Sequence, residues 1–197
     1  MTTLKPAVER ILKLFYEEKQ LHLREIARRT KLQGQSITRY LNQLEKDHIL
    51  TSTREGNLKK YSLQKNKKVY ALRTLLDIQR LEHLPFLRKK ALAHFLNKLP
   101  QQPVFVIIFG STAKGTYRED SDIDLLLITN RTISTTEAQQ EAKALTSIKI
   151  STFQITYTNF LKELKLKEDP VIQSALFSGY PIYNHIFYYE VLFNERI

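Results

Sequence analysis

Asp122 and Asp124, two aspartates separated by one residue, are the side chains of this sequence best placed to do chemistry. They stand at the start of an apolar stretch that predicts a β-strand, in which residues i and i+2 point to one face, roughly 6.6 to 7 Å apart. Two carboxylates held side by side on a sheet of Leu and Ile repel each other, so the pattern favours a cation between them. One or two Mg²⁺ ions, or Mn²⁺, serve this purpose where a phosphate is also bound. We therefore predict that Asp122 and Asp124 are metal ligands and catalytic residues.

A second pattern, just upstream, is suited to holding phosphate. Residues 104–109 form an apolar run that predicts a strand buried on both faces, and the run stops at Gly110. Glycine lets the backbone approach a ligand closely, Ser111 offers a hydroxyl, and the free N–H groups of a helix that starts here form an anion site. Lys114 and Arg118, which we expect one helical turn apart, would add positive charge there. The predicted phosphate-binding residues are Gly110, Ser111, Thr112, Lys114 and Arg118.

Residues 109–125 read FGSTAKGTYREDSDIDL. This order of hydrophobic-Gly-Ser, spacer and Asp-x-Asp resembles the signature of the polymerase-β-like nucleotidyltransferases, and the small members called minimal nucleotidyltransferases most closely. The resemblance covers residues 101–185. It implies that Gly-Ser holds the triphosphate of ATP or another NTP, that the aspartates bind metal, and that AMP is transferred to a protein or RNA acceptor. It also implies an antitoxin role beside a small helical toxin protein. The alternative is a buried strand, a glycine turn and two solvated aspartates.

The sequence departs from that signature at one point. Active members usually carry a third carboxylate on a later strand, which we predict near residues 150–157, yet no Asp or Glu occurs between Ala142 and Lys162. We expect Gln154 or a neighbour at that place, where an amide oxygen can coordinate a metal but cannot take a proton. Two functions stay open: an enzyme, or a DNA-binding transcriptional regulator whose nucleotidyltransferase-like domain binds nucleotide or a partner without catalysis.

Charge divides the chain into two halves. Residues 1–100 carry 22 Lys and Arg against 9 Asp and Glu, a net of +13, whereas residues 101–197 carry 9 against 11, a net of −2. Such asymmetry indicates two modules and a polyanionic partner for the first. The absence of cysteine excludes disulfides and thiolate zinc sites. No apolar run approaches the length of a membrane helix, so we expect a cytoplasmic protein without a membrane partner.

The basic half has the pattern of a DNA-binding domain. Apolar residues at helical spacing predict helices over 6–18, 23–30 and 36–47, and two short strands around Gly56-Asn57 predict a β-hairpin. This order resembles a winged helix-turn-helix domain, with Ser36 capping the recognition helix. The alternative is a winged helix used for protein contacts or dimerisation. The residues predicted to contact duplex DNA are Ser36, Thr38, Arg39, Asn42, Lys46, Arg54, Lys59 and Lys60.

We thus predict an α+β protein of three parts. These are a winged helix over residues 1–65, a helical linker or dimerisation segment over 66–99, and a nucleotidyltransferase domain with a mixed sheet over 100–197. A homodimer is compatible with the apolar stripe of the middle segment.

Overall fold

The computed structural model describes the backbone of residues 4–195 and the side chains of that range except those of residues 16, 17 and 195. The chain divides into two compact units, Met1–Leu72 and Arg73–Ile197. The boundary falls within a helix, α4, that runs over Lys67–Glu82. Each unit combines helices with its own sheet, which confirms the predicted α+β class.

The first unit packs helices against an antiparallel sheet of strand order β1-β3-β2. Its apolar residues at helical spacing, such as Ile11, Ile26 and Leu41, are fully buried, as the periodicity predicts. Strand β1, only two residues long, had no recognisable sequence pattern. The elements are α1 (Pro6–Glu17), β1 (Leu21–His22), α2 (Leu23–Thr30), α3 (Gly34–Lys46), β2 (Leu50–Glu55) and β3 (Leu58–Leu63).

Helix α3 begins two residues before its predicted start, and the expected N-cap role of Ser36 is wrong. The helix starts at Gly34, and the N-cap residue is Gln33, whose side chain makes no capping hydrogen bond. Lys31 adopts the left-handed conformation, with φ of 56°, which ends α2 and reverses the chain so sharply that two further residues reach the next helix.

Strands β2 and β3 form the predicted hairpin. Glu55 pairs with Leu58 across the two-residue turn Gly56–Asn57, and Gly56 has φ of +57°. Two-residue hairpin turns require positive φ, which glycine adopts without steric cost.

The second unit is built on a mixed sheet of strand order β6-β5-β4-β7. The pairs β4–β5 and β4–β7 are antiparallel, and β5–β6 is parallel, which confirms the predicted mixed sheet. After α4, the elements are α5 (Phe86–Lys98), β4 (Phe105–Phe109), α6 (Gly110–Lys114), β5 (Ile123–Thr129), α7 (Thr136–Thr146), β6 (Ile150–Thr156), α8 (Tyr157–Leu166), α9 (Pro170–Ser178), β7 (Tyr180–Tyr183) and α10 (His185–Glu195).

Both faces of this sheet are covered by helices, so its central strands are mostly apolar. Val106 and Ile108 belong to the core cluster that includes residues of α5 and α7. Phe105 points the other way, where its ring meets Phe160 of α8 edge-on at 5.4 Å and Tyr188 of α10 at 5.5 Å between centroids.

The middle segment, 66–99, is not a separate linker along its whole length. Ala91, Leu92 and Phe95 of α5 lie in the core cluster with β4 and β5, so α5 is part of the second unit. Leu87 is 50% exposed, whereas its neighbour Arg88 is only 3% exposed. The buried face of α5 therefore carries Arg88 together with Ala91, Leu92 and Phe95.

The last elements complete the second unit. Strand β7 adds to the sheet beside β4. The hydroxyl of Tyr189 on α10 donates a hydrogen bond to Asp77 of α4, whose side chain is fully buried. Within residues 4–195, no helix combines the length and the apolarity needed to cross a lipid bilayer.

Candidate active site and nucleic-acid interface

The turn from β4 into α6 brings a glycine against a carboxylate. Gly110 has φ of +68°, and a Cβ built on it would lie 2.2 Å from Oδ2 of Asp124. Phe109 and Asp124 are partners in the antiparallel pair of β4 and β5, which places the residue after Phe109 beside that carboxylate. A side chain at position 110 would therefore displace the carboxylate of Asp124 from this position. The predicted phosphate turn and the predicted metal ligands therefore lie together.

The two aspartates lie on one side of the strand pair β5–β6. Asp124 is the second residue of β5 and is in register with Ser151 of β6. Asp122 immediately precedes β5, and its Oδ2 accepts hydrogen bonds from Ser151 Oγ at 3.0 Å and Lys149 Nζ at 2.6 Å. Partners in a parallel pair share a face, so Ser151 links Asp122 to the face that carries Asp124.

The carboxylates differ in electrostatics. The hydrogen bond from Lys149 lowers the pKa of Asp122, with a smaller contribution in the same direction from Ser151. Burial raises the pKa of Asp124, and the negative charge of Asp122 raises it further. The two groups are thus close enough to repel, and a cation on the side of Asp124 would relieve both effects. This donor set fits a hard divalent cation such as Mg²⁺.

The expectation for Gln154 is wrong. Gln154 is in register with Leu127, and its side-chain amide holds the backbone N–H and C=O of Ile133 at 3.1 and 2.8 Å. Its place in the strand follows from the alternation of side chains, which puts residues 152 and 154 on the face opposite Ser151. No group of three His, Cys, Asp or Glu residues suited to a metal occurs in the described part of the chain. Beside the aspartates lie Lys149, which immediately precedes β6, and Ser151 of β6.

The remaining predicted phosphate-binding residues divide into exposed and buried ones. Ser111 is partly exposed, whereas Thr112 is 2% exposed, and its hydroxyl approaches the backbone carbonyl of Asp122 at 3.4 Å. Thr112 thus ties α6 to the start of β5. Lys114 and Arg118 are exposed, but they are not one helical turn apart as predicted, since α6 ends at Lys114 and Gly115 caps it with φ of 71°. Arg118 lies in the following loop.

The outward face of α3 lines a groove of about 720 Å³. Four of the residues predicted to contact DNA lie in it and are exposed, namely Thr38, Arg39, Asn42 and Lys46. Leu23, Gly34, Gln35 and Gln43 complete the lining. Ser36 is partly exposed and is not among the lining residues, because it lies elsewhere around the helix.

On the hairpin, two of the three predicted cations have acidic partners. Lys59 Nζ lies 2.7 Å from Oε2 of Glu45, a residue of α3, and Lys60 forms an ion pair with Glu55. The hydrogen bond to Glu45 raises the pKa of Lys59. Arg54, opposite Lys59 in the hairpin, is exposed. The helix groove therefore carries the more available positive charge.

Comparison with protein-family models gives two matches. Residues 90–185 match the family described as polymerase beta, nucleotidyltransferase, and residues 6–51 match winged helix-turn-helix DNA-binding. The chain is a fusion of these two domains. No curated protein sequence matches it. A crystal structure of a zinc-responsive MarR family member, Lactococcus lactis ZitR, is similar at 21% identity over 49% of this chain and 74% of that one, with a TM-score of 0.29, a score too low to support an argument.

Sequence reasoning missed one residue that braces the nucleotidyltransferase site. Arg88 of α5 donates hydrogen bonds to Thr112 Oγ1 at 2.9 Å and to the carbonyls of Arg118 and Ser121 at 3.0 and 2.9 Å. Its guanidinium also lies 4.1 Å from the ring centre of Tyr117. Arg88 thus fixes both ends of the loop between α6 and β5, which carries the chain from the glycine turn to the aspartates.

A signal for Arg88 was present in the sequence. Positions 88, 91, 92 and 95 follow the i, i+3, i+4, i+7 spacing of one helix face, and three of them are apolar. An arginine on an otherwise apolar stripe indicates a buried cation that needs oxygen acceptors. Which acceptors they are depends on residues 24 to 33 positions further along the chain.

Proposed function

We propose that the nucleotidyltransferase domain is an enzyme that transfers AMP from ATP, or the corresponding group of another NTP, to a hydroxyl of an acceptor. The observation that supports this most directly is the contact of Gly110 with Asp124 beside Asp122. Since a side chain at position 110 would displace the carboxylate of Asp124, glycine lets the backbone of the phosphate turn lie directly against that carboxylate.

In this proposal the residues have separate tasks. Gly110 and Ser111 hold the β and γ phosphates, Lys114 adds charge near the triphosphate, and Asp122 and Asp124 hold Mg²⁺ or Mn²⁺. Bound there, the ion would neutralise charge on the phosphates. The acceptor oxygen forms a bond to the α-phosphorus, the bond from that phosphorus to pyrophosphate breaks, and the hydroxyl proton passes to solvent. Positioning and charge neutralisation supply the acceleration.

For the acceptor we propose a protein, and specifically a small helical toxin that the chain would inactivate as its antitoxin. The resemblance of residues 109–125 to minimal nucleotidyltransferases supports this choice. RNA is the other acceptor class. A labelled protein is degraded by protease, whereas a labelled RNA is degraded by ribonuclease, so the two products can be distinguished.

The test is transfer of label from α-labelled ATP to protein or RNA in a lysate, with protease and ribonuclease used to identify the product. We expect labelling with the wild-type chain and none with Asp122→Asn/Asp124→Asn. Glu119→Gln/Asp120→Asn is the matched control, because both residues are exposed in the preceding loop and the change in net charge is the same. Equal labelling by the double variant would refute the enzyme.

The second candidate is a regulator that binds DNA through the winged helix and senses nucleotide without turnover. The presence of Lys149 and Ser151, rather than a carboxylate, beside Asp122 favours it. Nucleotide binding by calorimetry, lost in the double aspartate variant but accompanied by no labelled product, would decide for the regulator.

For the winged helix we propose binding to duplex DNA through the groove of α3. Support comes from the family match and from the exposed polar residues that line the groove, among them Arg39 and Lys46. In this proposal the hairpin contributes less than α3, since Lys59 and Lys60 already have acidic partners.

A further inference from the structure

A lysine occupies the side of the aspartate pair that faces β6. The backbone carbonyl of Lys149 accepts a hydrogen bond from the N–H of Ile123 at 2.9 Å, which places Lys149 directly beside Asp122. Its Nζ lies 2.6 Å from Oδ2 of Asp122, and Ser151 Oγ donates to the same oxygen at 3.0 Å. That oxygen of Asp122 therefore already has two donors from the chain.

The opposite side of the pair is different. Asp124 lies against Gly110, and no side chain among residues described by the structure donates a hydrogen bond to its carboxylate or forms an ion pair with it. Lys149 thus pairs directly with Asp122, whereas it acts on Asp124 only through its charge, which lowers the pKa of Asp124 less than burial and Asp122 raise it. The side chain of Lys149 is 60% exposed, so burial does not force it into this position, and the carboxylates attract it there.

We propose that Lys149 is a built-in counter-ion of the aspartate pair and limits the site to one divalent cation, held on the side of Asp124. A site for two cations needs ligands for both, and on the β6 side this chain offers an ammonium and a hydroxyl. Lys149 is therefore a positioning residue that sets how many metal ions bind and how tightly. This inference rests on the proposed function, because it assumes that Asp122 and Asp124 bind metal.

The experiment measures binding of Mn²⁺ alone to the full chain by electron paramagnetic resonance, which counts free and bound ions. We expect one ion per wild-type chain. Lys149→Met removes a competing and repelling charge, so the dissociation constant falls roughly three- to tenfold. Lys143→Met is the matched control, since Lys143 acts on Asp122 only through its charge and its removal leaves the Mn²⁺ affinity within about twofold.

A reciprocal variant tests the stoichiometry. Ser151 is in register with Asp124, and adjacent strands lie about 4.8 Å apart, so Ser151→Asp adds a third carboxylate to the same face. We expect two Mn²⁺ ions per chain for Ser151→Asp combined with Lys149→Met. Ser151→Ala combined with Lys149→Met is the control and keeps one ion.

The outcomes separate this inference from the proposed function. Two ions in the wild-type chain, or equal affinities of Lys149→Met and Lys143→Met, would overturn the counter-ion role while the metal site stands. No Mn²⁺ binding in the wild type and in Lys149→Met, or binding unaffected by Asp124→Asn, would overturn the metal site itself. Thermal unfolding of each variant confirms that an altered count reflects the site and not loss of the fold.

Discussion

The polar residues of α3 and those around the aspartates are fixed in different ways. Arg39, Asn42 and Lys46 are exposed along one groove of a single helix. By contrast, Asp122 depends on donors in and just before β6, and Thr112 depends on a donor from α5. The helix face follows from local periodicity alone. The aspartate site exists only when several distant segments are packed, so a substitution there affects folding and function together.

The largest effect should come from Gly110→Ala. Its Cβ would meet Asp124 Oδ2 at 2.2 Å in a left-handed conformation, so the carboxylate would have to rotate away, and together with the backbone strain we expect a loss of about 3 kcal/mol in the free energy of unfolding. Urea denaturation measures it. Gly115→Ala is the control, because Gly115 has the same left-handed conformation, with φ of +71°, but a Cβ added there would meet no atom within 4 Å. This substitution should lower the free energy of unfolding by only about 1 kcal/mol.

If Gly110→Ala and Gly115→Ala destabilise equally, the contact with Asp124 is not what fixes the turn. The glycine would then serve backbone conformation alone, and the site would not depend on close approach.

Replacement of Arg88 should have the next largest effect. Arg88→Met removes the charge but leaves Thr112 and two loop carbonyls without their donor, so we expect about 2 to 3 kcal/mol of destabilisation. Hydrogen exchange should rise over residues 116–122. Lys90→Met, at an exposed position of the same helix, should leave both measurements unchanged. Unchanged exchange in Arg88→Met would show that the loop is held by other contacts.

For the winged helix we expect effects on DNA binding rather than on stability. The logarithm of the DNA-binding constant falls linearly with the logarithm of the salt concentration. Arg39→Met and Lys46→Met should each reduce the magnitude of this slope by about 0.9, because each removes one phosphate contact. Asn42→Ala should lose discrimination of about 1 to 3 kcal/mol at particular base pairs. Salt titrations on DNA from the promoter region of the gene that encodes this chain, and on base-pair variants of that DNA, measure the slope and the discrimination. A larger slope change in Lys59→Met than in Arg39→Met would assign the main contact to the hairpin.

The smallest effect concerns Glu45. Burial raises the pKa of Glu45, but hydrogen bonds from Lys59 and Ser52 outweigh this and bring the pKa below its ordinary value of 4.5. A lowered folded-state pKa stabilises the fold above pH 4.5, and this stabilisation is lost as the pH falls through the lower value. Glu45→Gln should therefore cost about 0.5 kcal/mol at pH 7, a figure reduced for solvent screening, and progressively less as the pH falls below 4.5. Urea denaturation across this pH range tests this.

Local patterns predicted much of both units. Helices α1 and α2, the hairpin at Gly56, and the strands around Gly110 and Asp124 follow from spacing and turn chemistry. The end of α6 at Gly115 was missed because a single glycine inside a helical pattern is often tolerated and does not by itself mark a helix end. Gln154 was misassigned because strand alternation decides which face a residue occupies, and a prediction of the strand without its register leaves the face open.

Partners across the sheet could not be predicted from one sequence. The roles of Lys149 and Arg88 come from contacts 27 and 24 residues away along the chain. No local pattern encodes such pairings. The charge asymmetry predicted two modules, but it did not reveal that α5 packs in the core of the second unit.

The hydrogen bond between Tyr189 and buried Asp77 has a consequence for biosynthesis. These residues are 112 positions apart, so the carboxylate of Asp77 leaves the ribosome long before its partner is made. At 5 to 20 residues per second, the wait lasts roughly 6 to 22 s. Strand β7, the neighbour of β4, emerges equally late. The nascent nucleotidyltransferase domain therefore passes through a period with an open sheet edge, when chaperones have access to it, while the winged helix is already complete.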